Sequence, residues 1–106
     1  MIIRSALLLG TVAPEKQAAF DAHMRTTVVA QIRKYPHILD VILRKTCELE
    51  DGAPQVYMQF DLHFASLNDM NAALASPIRD AVRADIVVGM ADFQGSSVHV
   101  VSEQYD

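Results

Sequence analysis

Polar and apolar side chains alternate along the segment VYMQFDLHF, residues 56–64. Successive side chains of a strand point to opposite faces of a sheet, so the polar residues would share one face. That face would carry a phenol, an amide, a carboxylate and an imidazole, which are groups suited to proton transfer and ligand binding. The candidate catalytic residues are therefore Tyr57, Asp61 and His63, and Gln59 between them is a candidate ligand-binding residue.

Each of these residues also has a purely structural interpretation. Histidine side chains in general exchange protons near neutral pH, and a nearby carboxylate favours their charged form, so His63 beside Asp61 is a candidate general base. Tyr57 is a candidate hydrogen-bond donor to a ligand, or an interface residue without chemistry. Alternatively, Asp61 pairs with Arg44 across a hairpin and His63 lies at a solvated strand end. Both interpretations stay open at this point.

Four further residues are candidate ligand contacts. Arg44 could hold a carboxylate through two parallel hydrogen bonds, and Ile42 would share its face of the sheet. His99 is expected to project from the last strand onto this same face. His23 borders an apolar helix stripe, where it would pack at the rim of the sheet or close one end of a pocket.

The elements that must position these side chains follow a βαββαβ order, which is the ferredoxin-like arrangement. Two helices would cover one face of a four-stranded antiparallel sheet with strand order 4-1-3-2, and residues 86–95 would be irregular. The predicted elements are strands at residues 2–10, 38–47, 56–64 and 97–103, and helices at about residues 14–35 and from Ser66 onward, the second broken or restarted at Pro77.

The helices need an apolar face beneath them, and the apolar set of residues 56–64 supplies it. The polar row then falls on the helix-free face, which also carries Ile42 and is neither a clean core nor a clean water face. A second copy packed against it would form a dimeric α/β barrel with a cavity under each sheet. The expected partner is therefore a second copy of the chain.

Composition excludes several classes of protein. The 106 residues fit a single domain over residues 1–106, with a formal net charge of −4 and no basic stripe, so nucleic acid is not an expected partner. Cys47 is the only cysteine, which fits a reducing, cytoplasmic compartment. The apolar N-terminal stretch is too short to cross a membrane. Metal-ligand and nucleotide-binding motifs are absent, so neither a metal nor a cofactor is expected.

Two stretches carry a resemblance to a known family. SLNDMNAALASP (66–77), after a strand that ends in His63, resembles the second helix of the EthD-like family of the dimeric α/β-barrel superfamily. AAFDAHMR (18–25), followed by IRKYPHI (32–38), resembles the first helix and the proline-containing turn of the same family. The resemblance covers nearly the whole chain. It implies a cofactor-free cyclase, isomerase, decarboxylase or oxygenase that acts on a hydrophobic, often aromatic, small molecule.

The chain departs from this family in its first helix. The family usually has an aromatic residue and then a His-x-Pro element there, whereas residues 26–30 read TTVVA and the chain has no tryptophan. His23 lies about one turn earlier. This departure leaves three functions open: an enzyme, a non-catalytic binding or accessory protein for a hydrophobic ligand, and a dimer without a functional cavity. Fold alone does not choose among them.

Overall fold

A four-stranded antiparallel sheet forms one layer of the protein, with strand order β2-β3-β1-β4. The structure is a computed structural model and describes residues 1–106. The order is the predicted one, and the ferredoxin-like fold is confirmed. The strands are β1 (Ile2–Val12), β2 (Asp40–Lys45), β3 (Val56–Phe64) and β4 (Phe93–Glu103).

Three helical segments form the second layer. The first, α1, runs over residues 14–32, followed by α2 (Leu67–Leu74) and α3 (Ile78–Met90). Ser66 caps α2 by accepting a hydrogen bond from the backbone N–H of Asp69, and Pro77 separates α2 from α3. None of the helices combines the length and hydropathy that a membrane crossing requires.

The prediction that residues 86–95 are irregular was wrong. Helix α3 continues to Met90, and β4 begins at Phe93. The reason is visible in the spacing of Ile78, Val82, Ile86 and Met90, which recur every four residues and contribute to or pack against the core. One apolar face therefore extends along the whole of α3.

The apolar stripe of α1 is buried along its full length. Phe20, Met24, Val28 and Ile32 are each at most 3% exposed. Side chains spaced by four residues drift about 40° per step around a regular α-helix, so such a stripe winds gradually around the helix axis. The residues Met24–Val28 form a π-helical turn, which is wider than an α-helical turn and offsets this drift.

The apolar side chains of β3 face the helices, as predicted. Met58, Phe60, Leu62 and Phe64 are each at most 3% exposed and belong to the core. The opposite face of the sheet has no helix over it. On this open face, the β2–β3 pairing aligns residues as the hairpin pattern predicts: Asp40 opposite His63 and Arg44 opposite Gln59.

The alternation in β3 breaks at one position. Met58 pairs with Leu8 of β1 but Val56 pairs with Leu9, so β3 has one extra residue, Tyr57, opposite the same stretch of β1. Such a β-bulge reorients the side chain at the irregular position. Tyr57 consequently contacts Phe20 of α1 on the helix-covered side of the sheet.

Candidate functional site

A cavity of about 310 Å³ lies between the helix-covered face of the sheet and helices α1 and α3. Eight of its thirteen lining residues are hydrophobic, with Tyr35 counted among them for its ring, so its walls are mainly apolar. Ligand cavities of proteins commonly combine such walls with a few polar groups. The polar groups that line this cavity are Arg4, Tyr35, Arg79, Arg83, Ser97 and His99.

Strand β1 explains why Arg4 and His99 reach the cavity. Arg4 pairs with Leu62 of β3, and directly paired residues of a sheet share a face. His99 of β4 pairs with Ala6, which in turn pairs with Phe60. Because Leu62 and Phe60 face the helices, Arg4 and His99 also face them. The prediction that His99 projects from the open face was therefore wrong, although it does line a cavity.

Helix α3 contributes two more cations to the same cavity. Arg79 and Arg83 are one helical turn apart, and Val82 between them is buried against the core. Tyr35 enters from the segment after α1 and is 5% exposed. Its hydroxyl makes no hydrogen bond within the protein. Because every fully buried side-chain nitrogen and oxygen atom has a hydrogen-bond partner, this hydroxyl is accessible, and it borders the cavity that Tyr35 lines.

The electrostatics of the cavity keep its two proton-transfer groups neutral. Although His99 is an exposed residue, partial burial lowers its pKa below the ordinary 6.5, and repulsion by Arg4, Arg79 and Arg83 lowers it further. Burial raises the pKa of Tyr35, although the same three arginines partly oppose this effect. Burial also lowers the pKa of Arg4, together with repulsion from Arg79 and Arg83. At neutral pH, the cavity therefore holds a neutral imidazole and a neutral phenol beside guanidinium groups.

The lowered pKa of His99 predicts how the stability of the fold depends on pH. Its charged neighbours are Arg4 from β1 and Arg79 and Arg83 from α3. Between the folded-state pKa and 6.5, the unfolded chain binds more protons at this site than the folded chain. The protonation of His99 therefore costs the folded protein no stability above pH 6.5. Below pH 6.5, it lowers the free energy of unfolding as the pH falls.

This dependence can be measured by urea denaturation. We expect the wild type to lose more stability between about pH 7 and about pH 5.5 than a His99→Gln variant, which cannot titrate at this position. An equal loss in both proteins would show that His99 is not held neutral in the folded state.

Asp61 adopts the structural role that was one of its two interpretations. Its carboxylate is 4% exposed and accepts a hydrogen bond of 2.5 Å from the Ser5 hydroxyl. It also forms an ion pair with Arg44 and accepts a hydrogen bond of 3.3 Å from the amide of Gln59. These partners occupy the carboxylate. His63 lies two residues further along the open face and its ring makes no hydrogen bond within the protein, so its catalytic role stays a prediction.

Tyr57 lies away from the open face, contrary to prediction. Its hydroxyl donates a hydrogen bond of 2.5 Å to Asp21 of α1, which also pairs with Lys45. Its ring lies edge-on to Phe20 at 5.5 Å between centroids. The bulge in β3 is the physical reason for this placement. The phenol therefore joins β3 to α1, away from Asp61 and His63.

The remaining predicted contacts fall outside the cavity. The His23 ring donates a hydrogen bond of 2.6 Å from Nε2 to the backbone carbonyl of Asp85, and so links α1 to α3. Ile42 is 39% exposed on the open face. The cavity thus lies on the opposite side of the sheet from the predicted site. No three His, Cys, Asp or Glu side chains are grouped in a way that could hold a metal ion.

Sequence reasoning missed Arg4, Tyr35, Arg79 and Arg83. Two signals were present. Arg4 is the only charged residue of the first strand and lies on the same face as Leu8, and Arg79 and Arg83 flank Val82 on the apolar side of α3. A cation that recurs on an apolar face indicates either a cavity or an ion pair, and the pattern alone does not distinguish them.

Solved structures of other proteins share the architecture of this chain. No protein-family model matches the chain, and no curated protein is significantly similar to it in sequence. An EthD family protein from Bacillus halodurans superposes with a TM-score of 0.76 at 19% identity, over 99% of this chain and 100% of that one. The chain therefore shares the fold of this EthD family protein. The resemblance predicted from residues 66–77 is thereby confirmed at the level of fold.

Other solved structures share this fold. A dimeric protein of unknown function with a ferredoxin-like fold from Bacteroides fragilis has a TM-score of 0.65 at 15% identity, over 97% of this chain and 96% of that one. A cofactor-independent oxygenase from Streptomyces nogalater has a TM-score of 0.63 at 15% identity, over 99% of this chain and 93% of that one. Fold similarity at these identities leaves the activity to be argued from the site.

Proposed function

We propose that this chain is a cofactor-independent enzyme that acts on a hydrophobic small molecule held between the sheet and helices α1 and α3. The observation that carries this proposal is the pairing of an apolar cavity with the neutral imidazole of His99 and the neutral phenol of Tyr35. The shared fold of a cofactor-independent oxygenase supports the choice of reaction class.

The proposed first step is removal of a proton from a carbon next to a substrate carbonyl. The unprotonated ring nitrogen of His99 takes the proton, and the electrons of the C–H bond form an enolate. Tyr35 donates a hydrogen bond to the enolate oxygen, where the negative charge develops. Isomerisation, cyclisation and cofactor-free oxygenation of an activated carbon can all begin in this way. The proposal therefore concerns this shared step.

Exchange of substrate protons for deuterium tests this step without knowledge of the natural substrate. The probe is 2-tetralone, a cyclic ketone fused to a benzene ring with acidic C–H groups next to its carbonyl, incubated with the protein in deuterated buffer and followed by proton NMR. We expect the protein to accelerate exchange at the carbons next to the carbonyl. A probe that binds but exchanges no faster than in buffer would contradict the enzyme proposal.

That contradicting result would favour a second function, a carrier or accessory protein that binds its ligand without changing it. The observation that favours it is the absence of a histidine from residues 24–30 of α1. From this helix, Met24 reaches the cavity, and it carries no titratable group. Recovery of an unchanged ligand after long incubation would support the carrier function.

We also propose that two copies associate through the open face of the sheet. The open face exposes apolar side chains on both edge strands of the sheet: Ile42 is 39% exposed, Val98 is 40% exposed and Val100 is 52% exposed. The dimeric state of the Bacteroides fragilis protein with this fold supports the same arrangement. Asp61 and His63, for which the sequence predicts a site on this face, would then lie at or near the interface.

A charged substitution tests this interface. We expect Val100→Lys to raise the dimer dissociation constant by about 100-fold or more, because a lysine without a partner would be buried at the interface. Val88→Lys is the matched control, since Val88 is 68% exposed on α3, away from the open face. Light scattering during size-exclusion chromatography measures both variants. A dimer that survives Val100→Lys, or one that Val88→Lys dissociates, would contradict the proposed surface.

A further inference from the structure

The cationic side chains of this protein divide into those with an anionic partner and those without one. Four form ion pairs with carboxylates outside the cavity: Lys16 with Asp92, Arg33 with Asp40, Arg44 with Asp61 and Lys45 with Asp21. The other five have no carboxylate partner: Arg25 and Lys34, which lie outside the cavity, and the three cations that line it, Arg4, Arg79 and Arg83. The three in the cavity also form no side-chain hydrogen bond with the protein.

Composition does not account for this concentration of charge. The chain has more acidic than basic residues and a formal net charge of −4, yet no Asp or Glu lines the cavity. Three cations held together beside apolar walls repel one another. Arg4 is half-buried and therefore has also lost part of its hydration. An anion in the cavity would screen the repulsion between the arginines and would replace the lost water with direct hydrogen bonds.

We propose that the cavity selects amphiphilic anions, in which Arg4, Arg79 and Arg83 bind a carboxylate or phosphate head group and the apolar walls hold a hydrophobic body. The planar guanidinium group can donate two parallel hydrogen bonds to either head group. This inference rests on the proposed function, because it names the substrate class of the same cavity.

The positions of the three arginines indicate where the head group binds. Arg4 is half-buried on β1, whereas Arg83 is exposed on α3 one turn from Arg79. An anion between β1 and α3 is therefore within reach of cations on both layers. The hydrophobic body then lies against Leu8, Phe60 and Val82, which are buried beside the cavity. His99 faces the same arginines and would border the bound head group.

Matched naphthalene probes test this selection by fluorescence titration of the intact protein. The chain has no tryptophan, so naphthalene emission is free of that background. The probes are 2-naphthoate, 2-naphthyl phosphate and the neutral 2-naphthamide. We expect at least one anion to bind about tenfold or more tightly than the amide, and its advantage to shrink as salt is added. Whichever of the two anions binds more tightly identifies the preferred head group.

Arginine variants test the residues. Arg79→Gln and Arg83→Gln should each weaken binding of the preferred anion by about tenfold and leave the amide unaffected. Arg25→Gln is the matched control, because Arg25 is exposed on α1 and does not line the cavity. Circular dichroism verifies the fold of each variant, and the salt titration of the wild type tests the charge dependence if a variant does not fold.

The outcomes separate this inference from the proposed function. If 2-naphthamide binds as tightly as both anions, or if the glutamine variants retain full anion affinity, anion selection is overturned and the cavity remains a ligand site. If none of the probes binds to the folded protein, the proposed ligand cavity is overturned and anion selection falls with it.

Discussion

Replacement of His99 by alanine is expected to slow deuterium exchange of 2-tetralone by about 100- to 10,000-fold, the usual contribution of a general base. The imidazole faces the apolar cavity, and its lowered pKa keeps it unprotonated at neutral pH. Alanine removes the group that accepts the proton. Since His99 lies on the exposed edge strand β4, its loss leaves the buried core unchanged.

His63→Ala is the matched control for this experiment. His63 lies on the other side of the same sheet, opposite Asp40 and away from the cavity. Its replacement should leave the exchange rate unchanged. Tyr35→Phe, which keeps the ring and removes the hydroxyl, should slow exchange by about 100-fold. The reverse pattern, in which His63→Ala abolishes exchange and His99→Ala does not, would return the site to the open face.

Gly95→Ala is expected to lower the free energy of unfolding by about 3 kcal/mol or more. Gly95 of β4 pairs with Gly10 of β1, and its φ is 152°, a conformation that residues with a side chain rarely adopt. A β-carbon at Gly95 would overlap the backbone carbonyl of Leu9. The substitution therefore combines backbone strain with a clash between β1 and β4, the two strands that carry Arg4 and His99.

Gly52→Ala separates strain from steric clash. Gly52 has a φ of 84°, but a β-carbon there would have no neighbour within 4 Å. Only the conformational cost remains, and we expect a loss of about 1 kcal/mol. Urea denaturation measures both variants. Equal losses for Gly95→Ala and Gly52→Ala would show that the close approach of β1 and β4 does not constrain the fold.

The fold was predictable from the sequence because its local signals agree with one another. The alternation in residues 56–64 indicates a strand with one buried face, and the four-residue spacing from Phe20 to Ile32 indicates a helix that packs on that face. Ser66 and Pro77 mark helix boundaries that the structure retains. Each of these signals depends on near neighbours in the chain.

The site was less predictable because it depends on pairings between distant residues. The side of the sheet on which His99 lies follows from its pairing with Ala6, and no pattern within β4 specifies that register. Val98 and Val100 are apolar, yet their pairing with Leu7 and Ser5 places them on the open face, whereas the polar His99 between them faces the helices. A single bulged residue similarly moves Tyr57 to the side of the helices.

The cavity itself has no local signature. It exists because Arg4 of β1 and Arg79 of α3, which are far apart in the chain, meet across the two layers. Each arginine looks like an ordinary surface cation when it is considered alone. Their shared lack of a carboxylate partner is a property of the folded molecule, and it becomes visible only once the layers are assembled.

Histidine NMR provides the most direct test of where ligands bind. The chain has four histidines, and two of them, His99 and His63, lie on opposite faces of the sheet. We predict that addition of 2-naphthoate shifts the imidazole resonances of His99 and leaves those of His63 unchanged. Shifts at His63 with none at His99 would contradict the claim that the cavity between the sheet and the helices is the functional site.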